Sequence, residues 1–195
     1  SVLILPAVLG AACLVPRSAR GILILVSIGG AGWACVAGAA AWGAFASGSL
    51  VTAAGGLRLD ALSAYHLAVL ALVFGASSVY AWGYFRAETA TGSFSRRSAR
   101  RFGTLWFGSA AAMAAVLLSN DLGIMWVGIE ATTLLTAFLT CVHVTPLSLE
   151  AMWKHLVVCS VGVAFAFVGT LLVAASAAGA QVGERMRPRT LGEFV

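Results

Sequence analysis

Long stretches without a charged residue constrain this chain more than any other feature of its sequence. Residues 21–57 carry no charge, and a further uncharged run extends from Ala61 to Phe85. A helix needs roughly 20 apolar residues to cross about 30 Å of hydrocarbon, and both runs reach that length. The sequence therefore predicts an all-α fold, a polytopic bundle of membrane helices.

The composition excludes the other broad classes of protein. Hydrophobic residues make up 61% of the chain and charged residues 10%, whereas charged residues are about 25% of soluble domains. Disorder is excluded because disordered chains combine low hydrophobicity with high net charge. The net charge of +5 does not indicate nucleic-acid binding, since the arginines lie between apolar runs. Topology determinants and contacts with lipid headgroups explain that placement better.

Gaps between charges divide the chain, predicted to be a single transmembrane domain over 1–195, into about six spans. The predicted spans are 2–16, 21–45, 61–85, 102–119, 122–142 and 151–175. A serine- and glycine-rich loop is predicted at 47–56, after the second span. The tail from Gly179 onward is polar and contains no further predicted span.

Basic residues predict the orientation, because short cytoplasmic loops carry an excess of lysine and arginine. One side holds eight of them and the other side four. The eight are Arg17, Arg20, Arg86, Arg96, Arg97, Arg100, Arg101 and Lys154, against Arg58, Arg185, Arg187 and Arg189. The N-terminus is therefore predicted to face outward, and the loop 86–101 to face the cytoplasm.

Glu130 is the charged residue that interrupts the fifth predicted span. It lies about eight residues past the outer end of that span and about twelve before its inner end, near mid-bilayer. A carboxylate at this depth costs at least a few kcal/mol, and such groups usually face a bundle interior or a water-filled cavity. Glu130 is therefore the first candidate for a proton carrier, with a purely structural buried acid as the alternative.

Four further residues are candidates for a proton path, each with a simpler alternative. Thr133 lies one turn from Glu130, although a threonine inside a helix often bonds to its own helix carbonyls. Lys154 lies in the first turn of the sixth span and could equally be an interfacial lysine. His66, about 9 Å into the third span, suits a proton relay or an interface, and Asp60 suits a helix N-cap.

Several other patterns predict structure rather than chemistry. Asp121 and His143 lie at helix ends and are interpreted as turn and cap residues. The small residues Gly29, Gly30, Gly32, Ala34, Gly38 and Gly43, and later Gly162, Ala166 and Gly169, predict close helix packing. An aromatic belt near the cytoplasmic boundary is predicted from Tyr80, Trp82, Tyr84 and Trp106.

The sequence shows neither a redox-cofactor motif nor a metal-ligand spacing. The cysteines Cys13, Cys35, Cys141 and Cys159 are isolated within apolar segments and are interpreted as small buried hydrophobic residues. No cofactor and no metal are therefore expected.

Three motifs resemble antiporter-like subunits of respiratory complex I, which are related to Mrp-type cation/proton antiporters. The stretch 120–134, NDLGIMWVGIEATTL, is similar to their fifth helix and fits most closely the WxxIEATTL pattern of hydrogenase-4 component F. The stretch LEAMWKH at 149–155, followed by CSVG at 159–162, resembles the entry to their sixth helix. LDALS at 59–63, with YAWGYF at 80–85, resembles their third helix.

The resemblance implies that Glu130 is an essential proton-path group and that Lys154 belongs to the sixth-helix entry region. It also implies an outward N-terminus, in agreement with the distribution of basic residues. Members of that family have about fourteen helices, among them a seventh with a lysine that pairs with the glutamate. The chain is therefore interpreted as an N-terminal portion of a longer protein, or as one piece of a split protein.

The predicted function is translocation of protons or sodium by a membrane-arm subunit of a hydrogenase-4-like or NADH:quinone oxidoreductase-like complex. The chain itself would be a non-redox subunit of the inner (plasma) membrane, coupled to redox chemistry in partner subunits. Its expected partners are other membrane subunits and the lipid bilayer. The alternative is a non-catalytic scaffold subunit that anchors peripheral redox proteins.

Overall fold

The computed structural model describes residues 1–16, 18–47, 50–51, 56–92 and 94–185, and this part of the chain is mostly helical. Its elements are α1 (Ile4–Ala12), α2 (Ala19–Ser47), β1 (Leu50–Val51), β2 (Arg58–Leu59), α3 (Ala61–Ala90), α4 (Arg96–Leu118), α5 (Leu122–Thr140) and α6 (Pro146–Arg185). The two strands have two residues each and pair antiparallel, with Leu50 opposite Leu59. The predicted all-α fold class is confirmed.

Five of the described helices are long and apolar enough to cross a membrane. They cover Ala19–Ala46, Ala61–Ala90, Arg96–Leu118, Leu122–Thr140 and Pro146–Ala177. Each overlaps one of the five predicted spans that begin at residues 21, 61, 102, 122 and 151. A polytopic helical bundle is therefore the architecture of the described chain.

The first predicted span, 2–16, differs from the structure. It folds as α1, a helix of nine residues, which rises only about 14 Å at 1.5 Å per residue. The chain leaves the helical conformation after Ala12, and Pro16 precedes α2. Proline offers no backbone N–H for helix continuation, and the 15 residues of this run are fewer than the roughly 20 that a span needs, so the run becomes a short helix and a turn.

The arginine-rich segment 86–101 is largely helical rather than a loop. Helix α3 continues to Ala90 and α4 already begins at Arg96, so only residues 91–95 connect them. Ser95 starts α4 as its N-cap, because its side chain accepts a hydrogen bond from the backbone N–H of Ser98 at 3.1 Å. The arginines of this segment therefore stand on the ends of two helices.

Some predicted features lie outside the described residues. Residues 48, 49 and 52–55 of the predicted loop at 47–56 belong to this group, as do Arg17 and the tail from 186 to 195. The described part of the predicted tail, 179–185, continues α6 as a helix.

The chain divides into two units, Ser1–Leu156 and Val157–Val195. The described part of the second unit is the later portion of α6, and its apolar side chains between Val157 and Val173 are largely exposed. A Cβ placed on Gly162 or Gly169 would meet no atom within 4 Å. The helix packing predicted for these glycines is therefore not made by the described residues.

The core of the first unit is organised around Ser78, a fully buried polar residue of α3. Its hydroxyl donates to the carbonyl of Phe74 at 2.7 Å and accepts a hydrogen bond from Trp106 Nε1 of α4 at 2.8 Å. Its own carbonyl accepts from the hydroxyl of Ser27 on α2 at 3.1 Å. Three helices are thus joined at one residue whose polar groups are satisfied.

Aromatic rings extend this core in both directions. The ring of Phe74 meets Trp33 edge-on at a centroid distance of 5.1 Å and stacks on Trp106 at 4.9 Å. Trp33 is fully buried and donates its Nε1–H to the carbonyl of Val2 at 2.8 Å. Trp106 is therefore partly buried and packs against the core. Tyr80, by contrast, is exposed.

Close approach through glycine occurs where a side chain would collide with a neighbouring helix. A Cβ on Gly30 would lie 2.2 Å from Ser78 Oγ, and one on Gly75 would lie 2.9 Å from the Cβ of Ala34. The predicted packing role is confirmed for Gly30 and Ala34, and also for Gly29, whose Cβ would touch Leu9 and Phe107 at 3.1 Å. Gly32, Gly38 and Gly43 make no such contact with the described residues, since an added Cβ would meet no atom within 4 Å.

We expect Gly30→Ala to destabilise the chain by about 1–3 kcal/mol, because the added methyl group must displace Ser78 or separate α2 from α3. Gly32→Ala is the matched control on the same helix, where a methyl group meets no atom within 4 Å. Thermal unfolding of both variants in detergent checks this expectation. Equal melting temperatures for the two variants would contradict the Gly30–Ser78 contact.

Candidate functional site

Helix α5 places Glu130 near its own midpoint. The helix begins after Asp121, whose carboxylate accepts a hydrogen bond from the backbone N–H of Ile124 at 3.0 Å and so acts as the predicted cap. Glu130 lies eight positions after Leu122 and ten positions before Thr140. At 1.5 Å per residue, the carboxylate-bearing residue lies about 12 Å from one end of the helix and about 15 Å from the other.

The packing of α5 against α4 sets the direction in which Glu130 points. Gly128 is buried against α4, where an added Cβ would lie 2.6 Å from Val116 Cγ2 and 3.5 Å from the carbonyl oxygen of Ala112. Each residue of an α-helix is rotated by about 100° from the one before it. Glu130, two residues further on, is therefore rotated by about 200° and lies on the side of α5 away from this contact.

Glu130 is half-buried, and among the described residues it forms no hydrogen bond and no ion pair. Carboxylates inside membrane proteins are costly unless they pair or face a polar cavity. The described residues thus hold a carboxylate at mid-helix without providing its partner.

The threonines of α5 use their hydroxyls within the helix. Thr133 Oγ1 donates to the carbonyl of Ile129 at 3.1 Å, and Thr132 Oγ1 donates to the carbonyl of Gly128 at 2.9 Å. Thr136 and Thr140 also donate to carbonyls of their own helix. The Thr133 hydroxyl therefore bonds to its own helix, as the alternative to a proton-path role predicts.

His66 and Thr133 are brought together by the fold. Both line an open cleft of about 490 Å³ between α3, α4 and α5, together with Thr132. The other lining residues are apolar, namely Val69, Leu70, Val73, Met113, Val116, Leu117 and Ile129. His66 is exposed, and its Nδ1 lies 2.9 Å from the carbonyl oxygen of Leu62. Glu130 is not a lining residue of this cleft, so these candidates do not form one site.

Lys154 is exposed and forms an ion pair with Glu150 one turn earlier, at 2.5 Å between Nζ and Oε1. Because α6 begins at Pro146, Lys154 stands two turns inside the helix, not in the first turn as predicted. Exposed pairs of this spacing contribute little to stability. The described contacts of Lys154 therefore connect it to Glu150 and not to Glu130.

Asp60 is the N-cap of α3, as its alternative interpretation predicts. Its Oδ1 accepts a hydrogen bond from the backbone N–H of Ser63 at 2.8 Å. The hydrogen bonds from Ser63 stabilise the charged form and hold the pKa of Asp60 below its ordinary value. The segment before it is fixed by a hydrogen bond from the N–H of Asn120 to the carbonyl of Gly56 at 3.1 Å. The start of α3 is thereby held beside the α4–α5 turn.

Sequence reasoning missed a contact between Glu88 and His143 at the opposite ends of these helices. Nε2 of His143 lies 3.1 Å from Oε2 of Glu88, between the end of α3 and the connection from α5 to α6. The histidine ring also lies near Phe94, at a centroid distance of 5.8 Å. The only sequence feature that could have indicated this contact is that both residues fall on the same predicted side of the membrane.

Within the described ranges, no three residues of the types His, Cys, Asp and Glu are grouped so that they could hold a metal ion. The four cysteines are free thiols, and Cys13 is buried while Cys35 is exposed.

Five apolar helices of spanning length, with a carboxylate at the middle of one of them, define a polytopic helical membrane protein. Over 101 residues the chain is 35% identical to a hydrogenase-4 component F homolog from Methylacidiphilum infernorum (isolate V4). This match covers 52% of the chain and 21% of that relative, so the matched part of the chain spans about a fifth of the relative's length. No protein-family profile matches the chain. The resemblance inferred from the three motifs is confirmed by this relative.

The lowered pKa of Asp60 predicts a pH dependence of stability. The cap contribution is fully present above the unfolded-state pKa of about 3.9 and is lost as the pH falls through the lower folded-state pKa. Asp60→Asn retains a capping side chain but does not titrate. We expect the difference in melting temperature between the wild type and Asp60→Asn to shrink below about pH 4. A difference that stays constant from about pH 6 to about pH 3 would contradict this interpretation.

Proposed function

We propose that this chain is part of a membrane-arm subunit of a hydrogenase-4-like complex and that Glu130 carries protons or other cations through that subunit. The observation that carries the proposal is the position of one carboxylate at the middle of α5, in a stretch that resembles antiporter-like subunits. Intramembrane carboxylates of this kind commonly mark ion pathways and proton relays. Redox chemistry would belong to partner subunits.

The geometry supports a role for Glu130 that depends on further groups. Its side chain lies away from the α4 contact at Gly128 and has no ion-pair partner within the described residues. In the proposed mechanism, a cation on another helix approaches Glu130 and favours its ionised form, and withdrawal of that cation favours protonation. The resemblance implies that a lysine of a seventh helix supplies this cation.

A scaffold subunit is the second candidate function, and the arrangement of the other polar groups favours it. A path across about 30 Å of hydrocarbon needs several titratable or hydrated stations. His66 lies in a cleft that Glu130 does not line, and Lys154 is paired with Glu150. The described residues alone therefore do not form a continuous series from one membrane face to the other.

The proposed location is the inner (plasma) membrane, with the arginine-rich ends of α3 and α4 in the cytoplasm. Support comes from four arginines in the first two turns of α4, Arg96, Arg97, Arg100 and Arg101. Positive charges flanking a span are retained on the cytoplasmic side. The opposite ends of these helices, near Asp60 and Asp121, would then face outward.

Cysteine labelling tests this orientation. Ala90→Cys lies at the end of α3 and Leu122→Cys at the start of α5, and both native side chains are exposed. In a variant that lacks the four native cysteines, we expect an impermeant thiol reagent added to intact cells to label Leu122→Cys but not Ala90→Cys. Labelling of Ala90→Cys alone would reverse the proposed topology.

Replacement of Glu130 by glutamine tests the proton-carrier role in the assembled complex. Glutamine preserves the volume and hydrogen-bonding capacity of the side chain but does not titrate. We expect Glu130→Gln to abolish most coupled proton movement while the complex still assembles, because a neutral amide is no harder to bury than a protonated acid. Proton uptake by membrane vesicles during turnover is the measurement.

Glu150→Gln is the matched control, since it makes the same chemical change at an exposed carboxylate at the start of α6. We expect it to retain coupled proton movement close to the wild-type rate. Wild-type proton movement in an assembled Glu130→Gln complex would reject the carrier role and favour the scaffold function.

A further inference from the structure

An apolar groove lies beside the arginine-rich start of α4. Its volume is about 390 Å³, and it is bounded by the start of α4, the end of α5 and the start of α6 within the unit Ser1–Leu156. Leu105, Phe138, Val142, Leu149 and Met152 provide most of its wall. Arg101 stands at the same groove, together with Thr104. A basic group thus adjoins the apolar groove near the ends of three helices.

The positive charge at this groove is not balanced by the described acidic residues. Arg97 is one turn before Arg101 on the same face of α4, and both side chains are exposed. Neither forms an ion pair with a described residue. The acid at the start of α6, Glu150, is paired with Lys154, and Oε2 of the half-buried Glu88 lies 3.1 Å from His143 Nε2. Two arginines are therefore available for an anion from the surroundings.

The neighbouring Arg100 has a different role, because it lies on another face of α4 and contacts the protein rather than the surroundings. Its guanidinium is half-buried and donates from Nη2 to the carbonyl of Pro16 at 3.3 Å. Arg100 thus joins α4 to the segment before α2, whereas Arg97 and Arg101 face outward. The helix therefore uses Arg100 for packing, whereas Arg101 lines the groove and Arg97 is exposed one turn earlier on the same face.

We propose that this groove binds one anionic phospholipid, with its phosphate at Arg97 and Arg101 and an acyl chain along the apolar wall. Its lining residues lie in the first three turns of α4, at the end of α5 and in the first two turns of α6, so a headgroup at these helix ends would leave an acyl chain against the apolar wall. A molecule with one negative end and one apolar end matches both parts at once. Basic pockets between membrane helices recognise anionic headgroups in this way. The proposal does not depend on proton transport by Glu130.

Native mass spectrometry of the purified chain tests the proposal. Phosphatidylglycerol and phosphatidylcholine with identical acyl chains are the probes, added separately to the protein in detergent. We expect tighter retention of phosphatidylglycerol by the wild type, and a loss of about fivefold in its affinity for each arginine removed in Arg97→Gln and Arg101→Gln. Glycerol 3-phosphate should not compete, because it lacks the acyl chain that the apolar wall would hold.

Arg20→Gln is the matched control, since Arg20 is an exposed arginine at the start of α2 that does not line the groove. It should retain phosphatidylglycerol as the wild type does, and melting temperatures should show that all variants remain folded. Equal retention of the two lipids by the wild type would overturn the proposal. An equal loss in Arg20→Gln and Arg101→Gln would also overturn it, as would displacement by glycerol 3-phosphate or failure to bind any lipid.

Discussion

The contact between Gly30 and Ser78 is the constraint on which the packing of the first unit depends. The absence of a side chain at Gly30 lets α2 approach Ser78 on α3, and Ser78 in turn accepts a hydrogen bond from Trp106 on α4. Dispersion contacts and satisfied polar groups supply the attraction between helices in lipid, because apolar burial gives little advantage there. Removal of water from this junction makes each unsatisfied donor costly, so these helices have few alternative arrangements.

The same principle determines the setting of Glu130. Helix α5 contacts α4 at Gly128, and Glu130 lies on the opposite side of α5 from this contact. The carboxylate therefore remains half-buried but without an ion-pair partner among the described residues. A group held in this way is suited to respond to a cation brought by another helix, which is the basis of the proposed carrier role. The scaffold alternative differs in one respect, since it requires no such response.

The two ends of these helices have different chemistry. At one end, Asp60 and Asp121 cap α3 and α5, and short backbone contacts hold the turns together. At the other end, arginines occupy the start of α4 beside an apolar groove, and Glu88 pairs with His143. The first end is organised by local hydrogen bonds, whereas the second presents uncompensated positive charge. This asymmetry supports both the proposed orientation and the proposed lipid site.

The sequence by itself determined the helical class, the five long spans, the caps at Asp60 and Asp121 and the depth of Glu130 in its helix. These features depend on runs of about 20 apolar residues and on hydrogen bonds between residues three apart, which are local. The tertiary structure decided that Gly30 is packed and Gly32 is not, that Trp106 donates a hydrogen bond to Ser78, and that Glu88 lies near His143. It also placed His66 in a cleft that Glu130 does not line, because the rotation of each helix is set by contacts between residues far apart in the chain.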